Sequence, residues 1–83
     1  MSFRRGDVIT FSENDKVLVI EAILYENVEY LYVNEILPDE SDMTTNYKVL
    51  QAHYEDGTLE KVTDMNILTK ILPIFQEKIE QSY

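Results

Sequence analysis

Cysteine is absent from this chain, so neither a disulfide nor a thiolate metal site supports its fold, and an intracellular compartment is the expectation. Histidine occurs once, at His53, which leaves no second imidazole to act as its co-ligand on a metal. With only two glycines, Gly6 and Gly57, there is no glycine-rich phosphate loop and no nucleophile elbow. No stretch approaches the roughly 20 apolar residues of a membrane-spanning helix. The opening Met1-Ser2-Phe3-Arg4-Arg5-Gly6-Asp7 lacks the apolar core of a secretory signal, and a cytoplasmic protein is expected.

Positive charge is also scarce, with 7 Lys and Arg against 16 Asp and Glu, a net charge of −9. Both ends of the chain balance. The excess lies in residues 17–64, where only Lys48 and Lys61 oppose the carboxylates. Such a surface repels phosphate, which disfavours nucleic acid and anionic membranes as direct partners and favours basic proteins or cations.

What is present is apolar and patterned. At 83 residues and 45% hydrophobic, the chain suffices for one core and one domain, residues 1–83, with a thin stability margin. Two-residue turns at Glu26-Asn27 and Asp56-Gly57 separate runs rich in Val, Ile, Leu and Tyr, the signature of antiparallel hairpins. Strands are predicted over residues 7–11, 17–25, 28–37, 47–54 and 58–62. Residues 37–46, with Pro38 and the carboxylates Asp39, Glu40 and Asp42, read as the longest loop.

The first hairpin sets Ile23 opposite Tyr30, Glu21 opposite Tyr32, Ala22 opposite Leu31 and Ile20 opposite Val33. One face then carries Leu18, Ile20, Ala22, Leu24, Leu31 and Val33, the expected core. The other carries Val17, Val19, Ile23, Tyr25, Tyr30 and Tyr32 and is too apolar to stand uncovered. In the second hairpin Tyr54 falls opposite Leu59 and His53 opposite Glu60, and Leu50, Ala52 and Tyr54 share a face.

From residue 64 the apolar period becomes helical: Leu68, Ile71, Leu72, Phe75 and Ile79 form one stripe, with Thr63 or Asp64 as N-cap. Pro73 lies inside the stripe and predicts a kink or a restart in a helix over residues 64–81. The fold class is α+β, mainly β: a five-stranded antiparallel meander capped by a C-terminal helix. A small SH3-like barrel is the first expectation and a strongly twisted open sheet the second.

Few residues carry chemistry. A histidine beside a carboxylate, as at His53 and Glu60, could be an oriented base, but no nucleophile accompanies it, and an exposed strand pair is the simpler reading. The loop carboxylates Asp39, Glu40 and Asp42 lack the ligand spacing of a calcium loop and read as solvated charge. Arg4 and Arg5 read as a solubilising flank rather than a phosphate contact.

The tyrosines Tyr25, Tyr30, Tyr32, Tyr47 and Tyr54 are the notable constellation, because tyrosine joins a rigid apolar body to a polar tip and is enriched at interfaces. Either the helix stripe covers the Tyr30 and Tyr32 face, or that face is a binding platform. Tyr32, Tyr30, Glu21 and Tyr25 are the candidate partner-contact residues, with Tyr30 expected to be the more buried and Tyr32 the more exposed.

The opening Gly6-Asp7-Val8-Ile9, the tyrosine-bearing hairpin of residues 17–36, and Asp56-Gly57 followed by Val62-Thr63-Asp64 resemble a group of small uncharacterised SH3-like β-barrel proteins of Gram-positive bacteria and their mobile elements. The resemblance implies a small barrel of unknown function with no catalytic residues and no cofactor to carry over; the helix lies outside it. The resulting expectation is a non-enzymatic module that binds a protein partner, basic or a second copy, through an acidic, tyrosine-bearing sheet surface. The alternative is an acidic inhibitor that mimics nucleic acid, and a small-molecule or metal-dependent enzyme ranks third.

Overall fold

The structure, a computed structural model, describes residues 3–81. Strands β1 (Val8–Ser12), β2 (Asp15–Tyr25), β3 (Val28–Ile36), β4 (Met43–His53) and β5 (Thr58–Lys61) are followed by helix α1 (Met65–Glu80). The sheet is an antiparallel meander in the order β1-β2-β3-β4-β5. Glu26 and Asn27 both take positive φ, 51° and 66°, which is the backbone a two-residue hairpin turn demands. This turn fixes Ile23 opposite Tyr30, Ala22 opposite Leu31 and Glu21 opposite Tyr32, as the sequence implies.

Beyond Glu21 the register departs from simple alternation. Val19, not Ile20, lies opposite Val33, so Ile20 is an extra residue bulged out of the β2–β3 ladder. The bulge exchanges the faces of everything before it. Val17 and Val19 therefore join Leu31, Val33 and Leu50 in one fully buried cluster, flanked by Phe3, Ile9, Ala22 and Leu59. Leu18 and Ile20, expected in the core, are only half-buried, and Leu24 is 71% exposed because it lies next to the turn at Glu26.

A second bulge coincides with the first. Val19 accepts from Gly6 N–H at 2.8 Å and donates to Asp7 O at 2.8 Å, so two residues face one; Gly6 (φ 93°) supplies the left-handed backbone that this requires. Bulges sharpen bend and twist, and two at one point of β2 curl the sheet. The Val17, Val19, Leu31, Val33 and Leu50 cluster contains residues of the five strands and Phe3 but none from the helix, as expected where a sheet curls onto its own inner face. Of the two expected arrangements the twisted sheet is the one formed, a curled half-barrel in which β1 and β5 remain edges.

Strand β4 begins at Met43, four residues before its predicted start, which shortens the loop to residues 37–42. Asn34 pairs with Tyr47 and Ile36 with Met43, so residues 44–46 bulge. Fully buried Asn34 holds that bulge: its Nδ2 donates to Thr44 O at 2.8 Å and Asn46 O at 3.4 Å. In the last hairpin Ala52 lies opposite Leu59 and His53 opposite Thr58, a shift of two residues from expectation. The connection is the four residues 54–57, closed by Gly57 N–H to His53 O at 2.9 Å. An even shift keeps every side chain on its face, so Leu50 and Ala52 remain on the inner side.

Helix α1 packs on the opposite, outer face. Its Asp64 cap accepts from Asn66 N–H at 2.8 Å. Ile71 and Phe75 are buried against Ile23, Tyr30, Val49 and Val62. Helical structure continues through Pro73 without the restart the sequence allowed. Pro73 and Thr69 are both on the exposed side, where water can satisfy the Thr69 carbonyl that proline leaves without a donor.

Candidate surface groove at Tyr32 and Tyr47

The helix stripe covers only part of the outer face, and the boundary falls at Tyr32. In β3, Tyr32 is flanked by Glu21 of β2 and Val49 of β4. Tyr47, two ladder pairs further along, lies on the same face, and the two rings stack with centroids 5.6 Å apart and planes 11° from parallel. Phe75 of the helix also packs on the Tyr32 ring, centroids 5.6 Å apart and planes inclined by 35°. Tyr32 is thus half-buried, and desolvation, with a smaller contribution from Tyr47, pushes its phenol pKa up.

Open grooves meet at this ring. One, about 650 Å³, is lined by Arg5, Leu18, Ile20, Tyr32, Met43, Tyr47 and Ile79 among others. A second, about 450 Å³, runs along the helix past Leu72, Phe75, Gln76, Ile79 and Glu80. Tyr47 and Met43 are exposed by 53% and 56%, and Leu72 is also exposed, so the apolar surface is continuous across the groove.

The four residues singled out from sequence divide. Tyr30 is in the core, and desolvation raises its phenol pKa. Tyr25 packs half-buried beside it. Glu21 is buried and ion-paired with Arg5, placed there by the turn in which Asp7 N–H donates to Arg4 O at 3.1 Å. Only Tyr32 reaches the groove walls, joined by Tyr47, which the sequence placed in the tyrosine constellation but not among the contact residues, and by Met43 and Leu72, which it did not single out as contacts. The carboxylate excess sits elsewhere: Glu26, Glu55 and Asp56 crowd the turns at one end of the meander, and Glu13, Asp15, Asp39, Glu40 and Asp42 those at the other. Charges lining the grooves are of both signs, Arg5, Lys48, Lys61 and Glu80.

The remaining candidates are engaged structurally. His53 Nε2 lies 3.0 Å from Glu60 Oε2, diagonally across the hairpin. Asp39 accepts from Ser41 N–H at 3.0 Å, and its hydrogen bonds to Ser41 hold its pKa below the usual carboxylate value. Glu40 pairs with Lys16 at 3.1 Å. Among the described residues no three His, Cys, Asp or Glu side chains gather as a metal site.

Tyr54 donates to the buried Glu29 at 2.5 Å, and this hydrogen bond, reinforced by desolvation and the carboxylate charge, raises its pKa from 10.0 to about 12. Since the folded value exceeds the unfolded one, the stabilisation is fully present below pH 10 and is lost as pH rises through about 12. Ultraviolet titration should show late-ionising tyrosines, Tyr54 near pH 12 among them, and Tyr54→Phe should reduce that late phase by one tyrosine. A titration unchanged by the substitution would disprove the pairing.

No family model matches the chain, and neither a curated protein nor a solved structure shows significant similarity to it. No described helix is long and apolar enough to cross a membrane.

Proposed function

We propose that this protein is a non-enzymatic interaction module that binds a protein partner through the groove around Tyr32 and Tyr47. The observation that carries the reading is the stacked Tyr32–Tyr47 pair, held by the contact of Phe75 with Tyr32 and bordered by exposed Met43 and Leu72. A preformed aromatic surface loses little conformational entropy on binding, and rigid aromatic anchors dominate interface energetics. The acidic turns at the ends of the sheet add long-range attraction for a basic partner without occupying the contact itself. Nucleic-acid mimicry fits less well. It calls for regular rows of free carboxylates, whereas Glu21, Glu29 and Glu35 are tied to Arg5, Tyr54 and Lys48 within the fold.

Affinity capture from native lysate at low and high salt tests this reading. A partner held by the groove survives high salt, because apolar contact is not screened. A partner released entirely by salt would point to the acidic ends and return mimicry to first place.

A further inference from the structure

The half-barrel has a gap, and its walls are specific. Among the described residues, strands β1 and β5 each lack a neighbour on one side. Between them lies a cleft of about 470 Å³, lined chiefly by Phe3, Ile9, Phe11, Ala52, Tyr54 and Leu59. The backbone of β1 offers ladder groups there. Val19 N–H donates to Asp7 O, and alternation along the Val8–Leu18 and Ile9–Val17 pairs turns the N–H and C=O of Ile9 toward β2. Those of Val8 and Thr10 point out at the edge.

The same reasoning from Val62 N–H to Val49 O leaves the backbone groups of Leu59 and Lys61 at the β5 edge. Edge strands are normally blunted by lysine, proline, inward charge or a bulge. Strand β1, Val-Ile-Thr-Phe-Ser, has no lysine, proline or inward charge in a chain of net charge −9; its one irregularity, between Thr10 and Ser12, lies beyond the open groups of Val8 and Thr10, and Val8 and Phe11 are 42% and 44% exposed.

We propose that this cleft receives an extended peptide segment of another protein, which pairs with the β1 edge as an added strand. The chemistry of the occupant follows from the walls. Alternate side chains entering the cleft meet Ile9, Phe11 and Leu59 and are apolar. The hairpin beside the cleft, residues 53–61, carries Glu55, Asp56 and Glu60 against the single Lys61 at its far end, so the outward side chains are basic. A second copy of this acidic chain is the less complementary occupant. The site is separate from the Tyr32–Tyr47 groove, which lies on the outer face.

The test uses the whole protein and an acetylated, amidated peptide of alternating valine and lysine. On adding it, the amides of Val8 and Thr10 should gain protection from hydrogen exchange. Thr10→Pro removes an edge donor without touching the β1–β2 ladder and should weaken binding by about tenfold. On the unaltered protein, a peptide N-methylated at alternate residues should bind comparably weakly, which keeps the test valid if Thr10→Pro does not fold. Replacing the peptide's lysines by glutamates should abolish binding. Equal affinity of the methylated or the glutamate peptide would overturn the proposal. So would edge protection that grows with protein concentration alone, since it would show a second copy in the cleft.

Discussion

Phe75→Ala is expected to destabilise the fold by roughly 3–5 kcal/mol, the usual cost of emptying a buried aromatic site. Phe75 is 1% exposed and is shared by two structures: the outer core with Ile23, Tyr30, Val49, Val62 and Ile71, and the back of the Tyr32 ring. A domain of this size has roughly 4–12 kcal/mol of total stability, so the substitution removes a large part of it. Urea denaturation followed by tyrosine fluorescence reads the loss as a lower midpoint. An unchanged midpoint would mean that the helix is an appendage rather than the cover of the outer face.

Val19→Asp should be at least as damaging, because Val19 is 1% exposed within the inner cluster of Val17, Leu31, Val33 and Leu50, where a carboxylate has no partner. Plain alternation from the Glu26-Asn27 turn would instead put Ile20 in that inner position opposite Val33 and Val19 on the outer side, so the bulge decides which of the two neighbours tolerates a charge. Ile20→Asp, at the half-buried bulged residue, should cost far less. Circular dichroism and thermal melting of the two variants compare the effects directly; equal destabilisation by the two would show that the bulge does not set the faces.

These two cases show where the sequence was legible. Turn chemistry located the hairpins, because Glu26-Asn27 and the segment ending in Gly57 must reverse the chain, and helical spacing identified Ile71 and Phe75 as the buried stripe. Bulges were not legible. A single extra residue leaves the composition of a strand unaltered while inverting its inside and outside, so Val17 and Val19 were assigned to one face and occupy the other. The same cause hid the groove. The stack of Tyr47 on Tyr32 depends on the β3–β4 register, which is set across the loop of residues 37–42 and the bulge clipped by the Asn34 amide, and no local pattern announces it. Local pairing did rank the tyrosines correctly, since Tyr30 is buried and Tyr32, opposite Glu21, is the more open of the two.

In the proposed function, the groove at Tyr32 and Tyr47 binds a partner while the core beneath it holds the fold. The most direct test is the affinity of a salt-resistant captured partner for Tyr47→Ser. Tyr47 is 53% exposed, so its loss should change folding stability by no more than about 1 kcal/mol. Binding should weaken by about tenfold or more, as expected of an aromatic anchor at an interface. A stably folded Tyr47→Ser protein that binds that partner with unchanged affinity would contradict the account.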